Sequence, residues 1–191
     1  MLYLASQSPR RRQLLEQLGY RFRVLDVEVP ECPGDDEAAA AYVERVARDK
    51  AAAGWTQVGA EVEACVLAAD TEVVIDGQVL GKPADAEAAR SMLRRLRGRD
   101  HEVLSAVCCM RDGVQRVLSK RSIVRFAALG DADIDTYVAS GEPFGKAGSY
   151  AIQGRAAAFI SHLEGSYSAV MGLPLFETAS LLRGTGLREG A

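Results

Sequence analysis

The segment SQSPRRR at residues 6–12 combines residue types that bind phosphate. A short apolar run precedes it, and Ser8 followed by Pro9 predicts the N-cap and the first residue of a helix. Free N–H groups and the positive dipole end of a helix N-terminus favour an anion, and arginines donate paired hydrogen bonds to phosphate oxygens. Cations in a first helical turn, here Arg10 and Arg11, are unfavourable without such an anion. We therefore predict a phosphate site, with a solvated basic helix face as the alternative.

The segment AADT at residues 68–71 places an acid, Asp70, at the predicted end of an apolar strand. Ligands of open α/β sheets bind at the carboxyl ends of strands. A carboxylate there can hold a divalent metal or orient a water molecule. A hairpin predicted at residues 76–77 returns Lys82, in the segment GKP at residues 81–83, towards this acid. From the spacing alone, Asp70 and Lys82 can be either a catalytic pair or a turn aspartate that happens to lie beside a lysine.

A third segment, FGKAGSYAIQG at residues 144–154, is rich in glycine, which allows the backbone to approach a ligand closely. Lys146 follows the first glycine directly, so the segment does not match the phosphate loop of Walker-type nucleoside triphosphatases. That class of enzyme is therefore excluded. A fourth segment, GSYSAVMGLP at residues 165–174, reads as a loop before the last helix and has no chemistry of its own.

The elements that must position these segments interleave strands and helices. Apolar periodicity and turn residues predict helices that start near residues 9, 37, 85, 131 and 174, and strands over residues 2–5, 22–29, 65–69, 73–75, 79–80, 103–110, 114–127 and 159–163. Some adjacent strands have no helix between them, which favours a mixed sheet over a purely parallel one. We expect a single α/β domain over residues 1–191, without a linker or an internal repeat.

The overall charge and hydropathy narrow the possible partners. A net charge of −3 and a pI of about 5.5 argue against a protein that binds nucleic acid stably, including one whose arginines contact RNA. No run reaches the roughly 18 apolar residues that a membrane span needs. The N-terminus is apolar first and basic afterwards, the reverse of a signal peptide. We therefore expect a cytoplasmic protein that does not insert into a membrane.

Cysteine spacing gives no indication of a metal centre. The chain has no C-x-x-C pair, and both histidines stand far from the cysteines in sequence. A zinc site is therefore not expected. Cys65, Cys108 and Cys109 lie in apolar strand-like runs, so we predict that they are buried, reduced thiols.

The four segments together, in this order, resemble the motifs of the Maf family of nucleoside triphosphate pyrophosphatases. The matching motifs cover the chain from residue 3 to about 182: LASQSPRR at 4–11, ADT at 69–71 with GKP at 81–83, GKAG to QG over 145–154, and GSY to GLP over 165–174. The resemblance implies a strongly twisted mixed sheet flanked by helices, with two lobes, a deep central cleft and a likeness to inosine triphosphate pyrophosphatases. It also implies a homodimer.

The activity implied by the resemblance is hydrolysis of a nucleoside triphosphate between its α- and β-phosphates, aided by a divalent metal such as Mg²⁺ or Mn²⁺. The family acts in nucleotide-pool control and is linked to inhibition of septum formation. Carried over by motif, the resemblance implies that Asp70 is the general base and that Ser8, Arg10 and Arg11 face the phosphates. It implies that Lys50 and Lys82 line the cleft. Glu31 and Asp70 would be the acids on the metal side, with Glu28 as a rival of Glu31.

The resemblance also indicates a substrate group. Arg10 followed by Arg11, and GSYAIQG at residues 148–154, are similar to the members that prefer dTTP and UTP. The amide of Gln153 can both donate and accept, as a uracil or thymine edge requires. We expect Arg10, Thr71 and Gln153 to set this preference. Two alternatives stay open: the members that prefer 7-methylguanosine triphosphate, and a nucleotide-binding inhibitor of septum formation with little turnover.

Overall fold

The computed structural model describes residues 1–59, 61 and 63–187, which form a seven-stranded mixed sheet in the order β2-β1-β3-β5-β6-β7. The short strand β4 pairs with the end of β3. Strand β1 is parallel to both β2 and β3, whereas the other pairings are antiparallel. The strands are β1 (Leu2–Ala5), β2 (Phe22–Leu25), β3 (Cys65–Ile75), β4 (Gln78–Val79), β5 (Asp100–Arg111), β6 (Val114–Phe126) and β7 (Ile160–Glu164). The prediction of a mixed sheet is confirmed.

Helices cover both faces of this sheet. They are α1 (Pro9–Gln17), α2 (Ala39–Val58), α3 (Ala86–Leu96), α4 (Asp131–Ala139), α5 (Tyr167–Met171) and α6 (Leu175–Arg183). Side chains alternate along β3, so Leu67 joins a core with α1, α3, α4 and α6, whereas Val66 joins a second core with α2. Among the described residues, no helix is long and apolar enough to cross a membrane.

Helix α2 lies unusually close to the sheet at Gly54. A Cβ atom on this glycine would lie 2.9 Å from Cγ1 of Val66 and 3.1 Å from Cβ of Ala5. Such distances are shorter than side chains tolerate, so glycine is what permits the approach. Lys50 lies one helical turn earlier, and the close packing therefore determines how near its ammonium group comes to the sheet.

Several local predictions are confirmed. Ser8 is the N-cap of α1, and its Oγ accepts a hydrogen bond from the backbone N–H of Arg11. The hairpin turn has Asp76 at φ 54° and Gly77 at φ 73°, the left-handed pair that tight hairpins favour. The buried position of Cys65, Cys108 and Cys109 is confirmed as well, and all three thiols are free.

One strand boundary that matters for function was predicted wrongly. Strand β3 does not end before Asp70 but continues to Ile75, because β5 pairs with it well beyond the apolar run. Strand β1 ends at Ala5, and its last pairing with β3 joins Leu4 to Leu67. Asp70 therefore lies within a strand, just past the point at which the parallel neighbour stops.

Other boundaries moved by a few residues. Strand β2 is shorter than the predicted 22–29, and α2 runs over Ala39–Val58 in place of 37–53. Gly130 is the N-cap of α4, so Asp131 is its first helical residue and not its cap. These shifts lie at element ends, where local patterns carry the least information.

Candidate active site

A cavity of about 340 Å³ opens beside β3 at the place where β1 ends. Parts of four distant segments line it, residues 5–11, 70–73, 145–153 and 170–172. The cavity brings together the nine site residues predicted from the sequence, Ser8, Arg10, Arg11, Glu31, Lys50, Asp70, Thr71, Lys82 and Gln153. Glu28, the rival of Glu31, is exposed and is absent from the described lining.

A chain of ion pairs crosses the cavity wall. Lys50 Nζ donates to Oδ1 of Asp70 at 2.8 Å and also lies 2.5 Å from Oε1 of Glu31. Lys82 Nζ contacts the other oxygen of Glu31 at 2.6 Å. The side chains of Lys50 and Asp70 are only 9% and 6% exposed, so this pair is shielded from water. Burial raises the pKa of Glu31, but the two lysines outweigh it and lower the pKa to about 2.

Glu72 stands two residues after Asp70 on β3, and the two side chains therefore leave the same face of the sheet. Oδ2 of Asp70 and Oε2 of Glu72 are buried and have no hydrogen-bond partner among the described residues. Burial, followed by the charge of Asp70, raises the pKa of Glu72 to about 8. The cavity wall thus carries two buried acids with unused oxygens.

The N-terminus of α1 contributes the basic wall of the cavity. Arg11 is held in place, since its Nε donates to the carbonyl oxygen of Gly172 at 2.8 Å and its Nη1 to Oγ of Ser6 at 3.3 Å. Arg10 makes no ion pair or hydrogen bond with the rest of the described chain. Burial and the neighbouring Arg11 lower the pKa of Arg10. An anion in the cavity would stabilise this charged guanidinium.

The glycine-rich segment forms the opposite wall and is fixed to the sheet by Gly148. The N–H of Gly148 donates to the carbonyl oxygen of Gly81 at 2.8 Å. Gly148 has a φ of +64°, and a Cβ there would lie 2.7 Å from the side chain of Val73. Only glycine satisfies both conditions, and the contact places Lys146 and Gln153 on the cavity wall.

Thr71 points away from Asp70 and joins a network under the loop that contains Gly172. Its Oγ1 lies 2.9 Å from Oγ of Ser105 and 3.4 Å from the carbonyl oxygen of Gly172. Ser105 in turn donates to the carbonyl oxygen of Ala169 at 2.6 Å. The hydroxyl of Thr71 therefore supports the loop whose carbonyl holds Arg11.

The charge pattern of the cavity suits a polyphosphate and a cation together. Within the described lining, five cationic side chains surround three carboxylates: Arg10, Arg11, Lys50, Lys82 and Lys146 with Glu31, Asp70 and Glu72. No group of three or more potential metal ligands is preassembled among the described residues. Mg²⁺ commonly uses one or two carboxylates and takes its other ligands from water and substrate phosphates. The two buried, unpartnered carboxylate oxygens fit that use.

Comparison with known proteins agrees with this geometry. The family model described as Maf-like protein matches residues 1–185. The chain belongs to the Maf family. Its relatives include proteins named dTTP/UTP pyrophosphatase from Methylococcus capsulatus, 59% identical over 97% of this chain and 91% of that protein, and from Xanthomonas euvesicatoria pv. vesicatoria, 53% identical over 97% and 99%.

A third relative of the same name, from Chromobacterium violaceum, is 52% identical over 95% of this chain and 92% of its own. Among solved structures, the Staphylococcus aureus Ham1 protein aligns with a TM-score of 0.40 and 16% identity over 66% of this chain and 71% of that chain.

In this Maf-family chain, two cavity residues escaped prediction from the sequence as site residues. Lys146 was quoted within the GKAG motif but was given no role, although it lines the cavity. Glu72 was not considered, because it fell between the predicted strands over residues 65–69 and 73–75. Its distance of two residues from Asp70 was the available signal, since such residues share one face of a strand.

Proposed function

We propose that this chain hydrolyses nucleoside triphosphates, preferentially dTTP and UTP, to the monophosphate and pyrophosphate. The names of the relatives support the reaction and the substrates. The observation that carries the proposal is the buried pair of Lys50 and Asp70 at 2.8 Å in a cavity with cationic walls. The pair is shielded from water and fixes the carboxylate that the proposed reaction uses.

Asp70 is the catalytic carboxylate in this proposal. Its Oδ1 accepts a hydrogen bond from Lys50, which holds the group in place. Its Oδ2 remains available to accept the proton of a water molecule that attacks the α-phosphorus. Attack there breaks the bond between the α-phosphorus and the bridging oxygen, which leaves with the pyrophosphate.

The cationic wall stabilises the charge that moves onto the leaving group. Arg10, Lys82 and Lys146 are placed on the cavity lining and carry the positive charge that this step requires. A divalent cation, when bound, would polarise the phosphoryl oxygens. Asp70 and Glu31 are the residues predicted from the sequence to face it.

The test is release of phosphate from a panel of nucleotides, in an assay coupled to inorganic pyrophosphatase. We expect Asp70→Asn to lower kcat by several orders of magnitude without unfolding the protein, because the change keeps the shape and removes the negative charge. Asp26→Asn, an exposed acid outside the cavity lining, serves as the matched control and should behave as wild type. Near-normal turnover by the Asp70→Asn variant would reject the assignment, and no turnover of any nucleotide by wild type would favour a binding protein.

Three further features are part of the proposal. We infer a homodimer, a cytoplasmic location and a role in nucleotide-pool control, with the link to septum formation as its cellular consequence. Light scattering tests the first: the protein should have twice the chain mass of 20.5 kDa at micromolar concentration. A mass equal to one chain would contradict it.

A further inference from the structure

Glu72 is a buried acid whose environment gives it no partner. The residue is 6% exposed, and its Oε2 accepts no hydrogen bond from the described residues. None of the ion pairs found in residues 1–59, 61 and 63–187 includes it. Burial of a carboxylate without compensation is strongly unfavourable. A ligand that supplies positive charge would remove this penalty.

Asp70 presents the same feature beside it. Both side chains leave the same face of β3, both line the cavity, and each has one buried oxygen without a partner. The nearby ammonium groups are already engaged, since Lys50 contacts Asp70 and Glu31 whereas Lys82 contacts Glu31. Two adjacent acids, each with one oxygen that no described residue contacts through a hydrogen bond or ion pair, suit a small hard cation.

We propose that Glu72 is a metal ligand, and that its Oε2 and the Oδ2 of Asp70 together bind the divalent cation of the reaction. This inference rests on the proposed function, because phosphate oxygens of the nucleotide complete the ligand set. Each carboxylate oxygen has two lone pairs, so contact with a cation leaves Oδ2 of Asp70 able to accept from a water molecule.

Glu31 is less suited to this task. Its two oxygens each contact a lysine, at 2.5 and 2.6 Å, and its side chain is 31% exposed. A cation there would have to displace an ammonium group, whereas the free oxygens of Glu72 and Asp70 need no rearrangement of ion pairs. No group of three potential metal ligands is preassembled in the described chain. A site with two carboxylates fits this finding, because the substrate phosphates would supply the remaining ligands.

The experiment measures Mn²⁺ binding without turnover. Free Mn²⁺ is followed by electron paramagnetic resonance during titration of the full chain, with and without a UTP analogue whose α,β-bridge is a methylene group. Glu72→Gln should weaken Mn²⁺ affinity by about tenfold or more. Even substitution of a residue that only hydrogen-bonds to a metal ligand typically lowers metal affinity by about 10–100-fold. Glu72→Asp keeps the carboxylate and should retain part of the affinity.

Two further variants make the result specific. Glu16→Gln removes an exposed acid outside the cavity lining and should bind Mn²⁺ as wild type does. Glu31→Gln tests the rival ligand. If Glu31→Gln abolishes Mn²⁺ binding and Glu72→Gln retains it, or if Glu72→Gln binds as tightly as wild type, the proposal is overturned.

Thermal unfolding provides a second readout. Without metal, Glu72→Gln and wild type should melt at similar temperatures, because glutamine keeps the size and the burial of the side chain. Mn²⁺ should raise the melting temperature of wild type and leave that of Glu72→Gln almost unchanged. Equal stabilisation of both proteins by Mn²⁺ would contradict the proposal.

These binding and melting measurements separate the inference from the proposed function. Loss of Mn²⁺ affinity in Glu72→Gln supports the metal ligand even if wild type releases no phosphate from any nucleotide. Conversely, an active wild type together with unchanged Mn²⁺ affinity in Glu72→Gln rejects the ligand and leaves the hydrolase standing.

Discussion

Arg10 and Arg11 are adjacent in sequence but differ in their contacts. Cations in a first helical turn are unfavourable, so alanine at either position is expected from the sequence to leave the helix stable. The structure changes this expectation for Arg11, whose guanidinium bonds to Gly172 and Ser6 and thereby ties α1 to the loop before α6. Arg10 has no such bond within the described chain, so it is the cleaner probe of phosphate binding.

Arg10→Ala should weaken binding of UTP or slow its turnover while leaving the fold intact. Removal of a first-turn cation should even stabilise the free protein slightly, by about 0.3–1 kcal/mol at most. The measurements are kcat/KM for UTP and the melting temperature. Arg12→Ala, an exposed neighbour outside the described lining, is the control. A lower melting temperature with unchanged kinetics would show that the arginines form a solvated basic face.

Gln153 is exposed on the cavity wall, where its amide can meet the edge of a base. A hydrogen bond contributes about 0.5–1.5 kcal/mol net, so Gln153→Ala should reduce base discrimination by up to about one decade. The measurement compares kcat/KM for dTTP, UTP, CTP and 7-methylguanosine triphosphate. Gln13→Ala, an exposed glutamine of α1, should keep the wild-type order. Wild-type preference for 7-methylguanosine triphosphate would overturn the substrate assignment alone.

Among the elements, β3 is the one whose end could not be predicted from the local sequence pattern. Its first residues form a continuous apolar run, and Asp70 ends that run, so the sequence indicated a strand end there. The strand continues because β5 pairs with it as far as Val74, and this pairing depends on residues about thirty positions away. The continuation of β3 also gives Glu72 its place in the sheet, which its neighbours in sequence did not indicate. The hairpin turn at Asp76 and Gly77 and the cap at Ser8 were predictable, because their backbone requirements are local, whereas the cap of α4 was placed one residue late.

Gly148 fixes the glycine-rich wall to β3, and its replacement tests that role. Alanine at Gly148 and at Gly145 imposes the same strain of a positive φ, but only at Gly148 would the new Cβ meet Val73. Gly148→Ala should therefore reduce the free energy of unfolding by about 1–3 kcal/mol more than Gly145→Ala. Urea unfolding measures this difference. Equal losses would mean that the wall does not depend on the contact.

At the scale of the whole molecule, the site is assembled from both ends and the middle of the chain. The motifs identified its loops from sequence, because glycine, arginine and proline have strong local preferences. Lys50 carries no motif of its own and was named only through the family resemblance. Its position depends on Gly54, which lets α2 approach the sheet, and such a dependence is visible only in three dimensions.

Stability of the whole protein should depend on pH through His101. This ring is buried, its Nε2 lies 2.9 Å from the hydroxyl of Tyr150, and burial lowers its pKa to about 4, although Asp100 opposes the shift. The unfolded value is about 6.5, so the folded state binds fewer protons between the two values. The contribution of His101 to the free energy of unfolding is fully present above the unfolded pKa and is lost as the pH falls towards 4.

Between about pH 7 and pH 5, the contribution of this histidine should fall by about 2 kcal/mol. His101→Gln removes the titration, so its unfolding free energy should depend less on pH over that range. The exposed His162 provides the control, and His162→Gln should follow wild type. Parallel curves for wild type and His101→Gln would show that another group governs the loss.

Glu31 forms ion pairs with both Lys50 and Lys82 at the cavity wall. The protein carries its own competing anion, tethered where a phosphate would contact the same two lysines. A phosphate that takes up this position would have to displace that carboxylate, and the work of displacement would be subtracted from its affinity. A triphosphate makes more contacts with which to offset that work than a single phosphate does, so we expect inorganic phosphate to bind more weakly than a nucleotide.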